Sequence, residues 1–241
     1  MAEDDGQQET PIKVRPTVNS ELENVPNSTT YSLAIMDAPA FPRPTAIERL
    51  IRPEAQQIID NFVGMNALHE VDTLLVVLRG MPGSGKTTFA STMEIYARSL
   101  GLSVRVCSAD HYFDGEDGYV FAHHLLPEAH KECWRRFVSA VRSGVQVVIL
   151  DNTNVAQAEW TEYENFVTWE NYDRLWDVSY DSIQVVKVQF ACSNIDMAYQ
   201  LNHRGKRIDS EVIRNRFRVF EQDSTLFSFD YLIMPSLSVA L

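Results

Sequence analysis

Residues 80–88 read GMPGSGKTT, and these residue types suit a loop that binds phosphate. The pattern G-x-x-x-x-G-K-[ST] is met by Gly80, Gly85, Lys86 and Thr87. The glycines let backbone N–H groups face phosphate oxygens, Lys86 can reach the β- and γ-phosphates, and the Thr87 hydroxyl can ligate Mg²⁺. We therefore predict that the loop holds a nucleoside triphosphate, ATP, together with Mg²⁺. The predicted nucleotide-binding residues are Gly80, Met81, Pro82, Gly83, Ser84, Gly85, Lys86, Thr87 and Thr88.

The loop lies between a predicted strand, VDTLLVVLRG, and a predicted helix, Lys86 to Leu100. Further strands are predicted at SVRVCSAD, VQVVILD, SIQVVKVQFAC and FDYLIM. Further helices are predicted at Pro127–Ser143, from Gln157 to about Asp173, at Ile195–Asn202 and at Ser210–Gln222. Because strands that alternate with helices form parallel sheets covered on both faces, we predict an α/β fold with about five parallel strands.

The chain before the first strand has a different composition. Residues 1–43 are polar, contain several prolines and show no apolar period, which predicts a flexible segment, either disordered or extended. Residues 44–70 are predicted to be a helical lead-in, with a helix from about Thr45 to Phe62 that Pro53 interrupts. The phosphate-binding domain then occupies residues 71–241.

Two carboxylates follow predicted strands, where parallel α/β proteins bind their ligands. Asp110 comes just beyond the second strand and can accept the proton of an attacking hydroxyl, although an aspartate there can also cap a turn. Asp151 ends the third strand and can hold a Mg²⁺-bound water, although it can also be a strand-end turn residue. We predict Thr87 and Asp151 as the magnesium site. Asn152 and Asn154 are expected to bond local backbone.

A basic segment, LNHRGKRIDSEVIRNRFRVFE, carries six Lys or Arg against three Asp or Glu. Arg204 and Arg207 flank Gly205 in a predicted loop, where they can close over a triphosphate and stabilise charge on the transferred group. We expect Arg216 and Arg218 to lie on an ordinary solvated helix face. The predicted catalytic residues are therefore Asp110, Lys86, Arg204 and Arg207.

Composition narrows the classes of partner and compartment. A formal net charge of −12 over 241 residues argues against a surface coated with basic residues for non-specific nucleic-acid binding. The three cysteines lack zinc-ligand or redox spacing, so we expect small buried side chains in a reducing compartment. The sequence shows neither a secretory signal pattern nor a run of about 18 apolar residues, so we expect a cytoplasmic or nuclear protein without a membrane partner.

Two further patterns favour transfer to a hydroxyl over other uses of the loop. The guanine-reading segment N-K-x-D, usual in GTPases, does not occur in the sequence. Motor ATPases usually end a later strand in Asp-Glu, whereas here Asp151 is followed by Asn152. A kinase that uses ATP and a hydroxyl acceptor is therefore favoured.

Several segments, taken in order, resemble the polynucleotide-kinase-like P-loop family: GMPGSGKTT, SADHYF, EAH at residues 128–130, DNTN followed by Trp160, and NHRGKRID. They are similar to the kinase-like domain of the Nedd-four-binding-protein-two-like proteins and to 5′-hydroxyl polynucleotide kinases, over residues 74–221. The resemblance implies a P-loop NTPase/kinase fold and a general base at Asp110. It also implies a lid arginine at Arg204 or Arg207, and a polynucleotide 5′ end as the acceptor.

The sequence departs from the family pattern at two places, and three functions stay open. The phage enzyme has an arginine three residues after the base, where this chain has Phe113. The usual Arg-Asn at the start of the lid is Leu201-Asn202 here. The alternatives to a polynucleotide kinase are a small-molecule or nucleoside kinase, which Phe113 and the net charge favour, and a non-catalytic ATP-binding switch module.

We expect residues 1–43 to be dispensable for phosphoryl transfer, because they show no apolar periodicity that could build part of a core. A chain that starts near Pro44 should fold and keep its affinity for ATP, measured by nucleotide titration beside the full chain. Insoluble or inactive truncated protein would show that the segment packs on the domain.

Overall fold

The computed structural model of the chain describes residues 52–68, 71–115, 118–174, 182–205 and 207–235. The predicted flexible segment 1–43 and the start of the predicted lead-in lie outside these residues. The strands of the described part are β1 (Thr73–Arg79), β2 (Val104–Cys107), β3 (Asp114–Gly115), β4 (Gly118–Tyr119), β5 (Val147–Asp151), β6 (Ile183–Phe190) and β7 (Tyr231–Ile233). Its α-helices are α1 (Pro53–Ala67), α2 (Lys86–Ser99), α3 (Leu126–Arg142), α4 (Gln157–Arg174), α5 (Ile195–Arg204) and α6 (Ser210–Gln222). None of these helices is both long and apolar enough to span a membrane.

Five of the strands form one parallel sheet in the order β2-β5-β1-β6-β7. The central strand β1 pairs with β5 on one side and with β6 on the other. Leu78 of β1 is in register with Asp151 and with Val188, so the carboxyl ends of three strands meet at one edge of the sheet. The predicted α/β fold with five parallel strands is confirmed.

The core lies on both faces of the sheet. Every residue of β1 is buried, as expected for a central strand covered by helices on both sides. Leu74, Val76 and Leu78 pack in one cluster with α1 and α2. Leu75 and Val77 pack in a second cluster with α3 and α4. The two-residue alternation of β1 therefore sends side chains to opposite helical layers, and this fixes the strand in the centre.

Helix α1 begins at Pro53, where the sequence predicts an interruption, and Arg52 before it is extended. Proline suits the first turn of a helix, because its fixed φ fits and its missing N–H would have no partner there. The helix continues to Ala67, beyond the predicted end at Phe62. One stripe is buried against the sheet and α2, and it consists of Ala55, Ile58, Ile59 and Phe62.

An antiparallel hairpin, β3–β4, interrupts the predicted alternation between β2 and α3. Asp114 pairs with Tyr119, and Gly115 pairs with Gly118. The N–H of Val120 donates to the Phe113 carbonyl at 3.0 Å, which ties the hairpin to the end of the preceding turn. Strands of two residues carry too little alternation to be predicted from sequence.

The cysteines are free thiols, as their spacing predicts. Cys107 and Cys133 are buried in the core, whereas Cys192 is partly exposed. Burial raises the pKa of Cys107 to about 12 and that of Cys192 to about 11. These side chains are therefore neutral thiols at physiological pH, and Cys107 and Cys133 serve as packing residues.

Arg79, the last residue of β1, is a fully buried cation that the sequence pattern does not reveal. Its guanidinium donates to Gln189 Oε1 at 2.8 Å and to the carbonyls of Val155 at 3.0 Å and Phe220 at 2.9 Å. The ring of Phe220 also lies 4.1 Å from the guanidinium carbon. Burial lowers the pKa of Arg79 to about 10, although nearby carboxylates oppose the shift. One side chain thus joins β1 to β6, to the loop before α4 and to α6.

We expect Arg79→Met to lower the free energy of unfolding by about 3–5 kcal/mol, because three buried acceptors lose their charged donor. Urea denaturation of the full chain measures this loss. Arg218→Met is the matched control, since Arg218 is exposed on α6 and should change stability by less than about 0.5 kcal/mol. Equal midpoints for the two variants would contradict a structural role of Arg79.

Candidate active site

The phosphate-binding loop leaves β1 at Gly80 and enters α2 at Lys86. Gly85 has φ +98° at the position before the helix, no described side chain caps the helix, and its first turn holds no acidic residue. The first N–H groups of a helix lack partners within the helix and carry partial positive charge. The start of α2 is therefore suited to bind an anion.

Gly83 lies where this loop touches α5 through backbone atoms. Its φ is +78°, and a Cβ added there would lie 1.9 Å from the Leu201 carbonyl oxygen. A Cβ added at Gly205 would lie 3.2 Å from the Gly83 Cα. Glycine is thus required at position 83 both by the backbone angle and by the space. The segment predicted to form a lid therefore starts directly on the loop.

Lys86 is buried although it carries a charge. Its Nζ donates to the carbonyls of Gly80 and Met81, both at 3.0 Å, and to Ser84 Oγ at 3.4 Å. A buried ammonium needs such acceptors, because leaving water without them is very costly. The loop therefore curls around the lysine, and the same ammonium is placed beside the start of α2.

Asp151 lies buried at the end of β5, in the same small region. Burial raises its pKa above the ordinary value, whereas Lys86 and a hydrogen bond with the Thr87 side chain oppose this shift. Asp110 raises the pKa further, and His111 lowers it. Groups from the loop, from the turn after β2 and from the end of β5 are thus close enough to interact.

Asp110 lies in a short 3₁₀ helix, Ala109–Tyr112, that follows β2. The cap of this helix is Ser108, whose Oγ accepts the Asp110 N–H at 3.3 Å, so the carboxylate of Asp110 is not the capping group. The carboxylate is exposed, and the Tyr119 hydroxyl donates to its Oδ1 at 3.2 Å. A hydroxyl on another molecule can therefore reach the same group.

Asn152 and Asn154 connect neighbouring strands, so the expectation that they bond local backbone is wrong. Asn152 Oδ1 accepts the N–H of Ala109 at 2.9 Å, which fixes the turn after β2 to the end of β5. Asn154 Nδ2 donates to the Leu78 carbonyl of β1 at 2.7 Å. Because parallel strands bring their carboxyl ends side by side, the backbone groups nearest to these two asparagines come from distant parts of the sequence.

The two predicted lid arginines lie on either side of the contact between Gly205 and the loop. Arg204 is the last residue of α5, and Arg207 follows the helix with φ +51°. Both side chains are exposed. Their catalytic role, like the other roles assigned to site residues, stays a prediction.

Arg216 is part of the support of the site, not of a solvated face as predicted. Its Nη1 donates to Thr153 Oγ1 at 3.0 Å and to Glu159 Oε1 at 3.2 Å. It thereby holds α6 against the loop that follows β5. Arg218 is exposed, as predicted. The sequence could have predicted this partial burial. Arg216 comes three residues after Ile213 and four before Phe220, and such positions border the buried stripe of a helix.

A groove of about 640 Å³ leads away from Thr87, His111 and Asp151, along the edge strand β2 and between α2 and α3. The arginines that line it are Arg98, Arg105, Arg135 and Arg136. Glu94 pairs with Arg98 at 2.8 Å, and Glu132 pairs with both Arg135 at 3.2 Å and Arg136 at 2.9 Å. Arginines exceed carboxylates along the groove, although the chain as a whole is acidic.

Residues 75–181 match a family model described as an AAA domain. Human NEDD4-binding protein 2 is 36% identical over 93 residues, which are 39% of this chain and 5% of that protein. Among solved structures, a chain of the Pnkp1/Rnl/Hen1 RNA repair complex is 15% identical with a TM-score of 0.47, over 66% of this chain and 47% of that one. A shikimate kinase from Bacteroides thetaiotaomicron is 15% identical with a TM-score of 0.42, over 69% and 90%.

The family model and the similarity to NEDD4-binding protein 2 confirm the predicted resemblance over the matched segment, and the parallel sheet with its loop confirms the predicted fold class. The strand order and the loop are those of a P-loop fold, and such a loop implies nucleotide binding. The matched segment resembles NEDD4-binding protein 2. The chain spans about 5% of that protein, so the similarity gives no information about the function of its other parts. The structural similarities carry no information about the substrate.

We expect Gly83→Ala to destabilise the fold by about 2 kcal/mol or more and to weaken ATP binding, since the new Cβ must displace either the loop or α5. Urea denaturation and nucleotide titration measure the two effects. Gly64→Ala is the control, because its Cβ meets nothing within 4 Å on α1 and should raise stability by up to about 1 kcal/mol. Normal stability and ATP affinity in Gly83→Ala would contradict the close contact.

Proposed function

We propose that the protein transfers the γ-phosphoryl group of ATP to a hydroxyl, and that the acceptor is the 5′-hydroxyl end of a polynucleotide. One observation carries the proposal. Asp110 lies in the 3₁₀ helix after β2 and Asp151 ends the neighbouring strand β5, on the edge where Lys86 lies, and Lys86 and Asp110 both act on the pKa of Asp151. A donor site and a base for the acceptor are thus adjacent.

The loop residues from Gly80 to Thr88 fit a triphosphate. The buried Lys86, the start of α2 and the loop N–H groups supply positive charge and donors in one place. On binding, the lysine would exchange the Gly80 and Met81 carbonyls for phosphate oxygens. Thr87 and Asp151, which are hydrogen-bonded to each other, are oxygen donors of the kind Mg²⁺ prefers, and we assign them to that ion. Bound Mg²⁺ would neutralise charge on the phosphates.

Asp110 is assigned as the general base. Its exposed carboxylate would accept the proton of the acceptor hydroxyl while the hydroxyl oxygen forms a bond to the γ-phosphorus. The bond from the γ-phosphorus to the bridging oxygen breaks, and ADP leaves with that electron pair. Arg204 and Arg207 would stabilise negative charge on the transferred group, since the segment that carries them starts on the loop at Gly83.

The arginine-lined groove supports a polynucleotide as acceptor. It begins at Thr87, His111 and Asp151, so a chain whose end reaches the site has a path away from it. Arginines are well suited to phosphates, because the guanidinium presents several donors in a plane. A nucleoside without phosphates would gain nothing from this groove.

Phe113 supports the second candidate, a small-molecule or nucleoside kinase. The side chain is buried among aromatic rings, so it supplies no charge where the phage enzyme has an arginine. The cavity between α3 and α4, of about 460 Å³, also has the size of a small ligand. A non-catalytic switch module, in contrast, would bind ATP without any need for Asp110.

The compartment we propose is the cytosol or the nucleus. All three cysteines are free thiols, and thiols persist where the environment is reducing.

We expect Asp110→Asn to keep ATP affinity and to lose transfer by about 10² to 10⁴, the usual scale for a general base. Lys86→Ala should lose both ATP binding and transfer, because it removes the buried charge of the loop. Asp196→Asn, an exposed aspartate on α5, is the matched control and should behave as the unmodified chain. The measurement is transfer of label from γ-labelled ATP to a 5′-hydroxyl oligonucleotide and to a panel of nucleosides, with ATP affinity measured separately.

The kind of acceptor that becomes labelled distinguishes the three candidate functions. Label on nucleosides and not on oligonucleotides would favour the second candidate. ATP binding without any labelled acceptor, and an Asp110→Asn variant that equals the unmodified chain, would reject the kinase proposal in favour of a switch module.

A further inference from the structure

Three aromatic residues around the hairpin β3–β4 are exposed beside Asp110. Tyr112 is 38% exposed, Tyr119 is 41% exposed and Phe121 is 51% exposed. Val120, between the last two, is 68% exposed. Contiguous apolar surface of this kind is uncommon on soluble domains and usually marks a binding site.

The exposed rings are held in place by one buried ring. Phe113 lies with its ring centroid 5.5 Å from that of Tyr112, 6.1 Å from that of Tyr119 and 5.1 Å from that of Phe121. The pairing of Asp114 with Tyr119 fixes the hairpin at the same place. The exposed rings therefore form a prearranged surface, which loses little conformational freedom when a flat group packs on it.

This surface is joined to the proposed base by a hydrogen bond. The Tyr119 hydroxyl donates to Asp110 Oδ1 at 3.2 Å. Asp110 itself is fixed from the other side, through Ser108 and through the bond between Asn152 and Ala109. A molecule whose hydroxyl reaches the Asp110 carboxylate can therefore also lie against Tyr119.

We propose that Tyr112, Tyr119 and Phe121 form the acceptor platform, on which the base of the nucleotide that carries the reacting hydroxyl stacks. We also propose that the Tyr119 hydroxyl positions the Asp110 carboxylate. The inference rests on the proposed role of Asp110. The group recognised is then a planar aromatic base. Aromatic rings recognise it rather than charged side chains, which agrees with Phe113 at the position where the phage enzyme has an arginine.

The experiment compares how the full chain binds and phosphorylates two oligonucleotides. One has a normal base at its 5′-hydroxyl end, and the other is abasic at that residue. Binding is measured by fluorescence anisotropy of a 3′-labelled strand, and transfer is measured with labelled ATP. Tyr119→Leu keeps an apolar contact for Phe113 but removes the ring, and Tyr119→Phe keeps the ring but removes the hydroxyl. Tyr172→Leu is the control, an exposed tyrosine on α4 beside Asn171, which bonds the start of β6.

We expect Tyr119→Leu to weaken binding of the normal strand by about 5- to 150-fold, the effect of losing one base stack. The abasic strand should bind the unmodified chain weakly, and Tyr119→Leu should weaken it no further. Tyr119→Phe should keep the acceptor KM and lower kcat by about 10-fold, the effect of losing a hydrogen bond to a charged group. Free nucleosides should show the same loss on Tyr119→Leu if they are acceptors.

Equal effects of Tyr119→Leu on the normal and abasic strands, or no effect on either, would overturn the platform even if transfer occurs. An unmodified chain that binds neither strand nor nucleoside would overturn it as well. A base-dependent loss of binding without any transfer would keep the platform and reject the proposed kinase reaction. If Tyr119→Leu does not fold, as shown by thermal denaturation, Tyr112→Leu takes its place in the same comparison.

Discussion

The buried ammonium of Lys86 is the interaction on which the geometry of the site depends. Removing a cation from water costs several kcal/mol unless acceptors replace the lost water. The carbonyls of Gly80 and Met81 provide them, which requires the loop to curl around the lysine. Asp151 lies close by on the neighbouring strand, where burial raises its pKa and Lys86 opposes the shift. The loop conformation is thus a consequence of one buried charge, whereas the β1–β5 pairing places Asp151 beside it.

Contacts between strand ends convert this local arrangement into a rigid site. Asn154 donates to the Leu78 carbonyl near the end of β1, and Asn152 accepts from the turn that carries Asp110. Backbone contact between Gly83 and Leu201 adds α5, and Arg79 adds β6 and α6. Each of these bonds is buried or half-buried and joins segments far apart in the sequence. Exposed side chains such as Asp110 therefore have fixed positions even though their own surroundings are open to solvent.

The parts of the fold that were predictable are those whose signal is local. The apolar run of β1 and the glycine pattern of the loop are complete within a few residues, and so the strand, the helix α2 and the place of the phosphate site followed directly. Arg79 was not predictable, because its partners Gln189 and Phe220 come more than 100 residues later. The same holds for Asn152, whose backbone partner lies 43 residues away, and for the groove, whose arginines come from β2, α2 and α3.

Net charge and local charge act over different distances in this chain. The net charge of −12 is spread over the whole sequence, and at physiological salt it is screened beyond about 8 Å. Arginines that line a groove act at contact distance, where screening is weak, so under the proposed function an acidic protein can still hold a phosphate chain there. Long-range attraction for nucleic acid is lacking, which disfavours non-specific binding. Under the proposed function, recognition of the acceptor must then come from short-range contacts, and stacking on the aromatic platform is a contact that does not depend on salt.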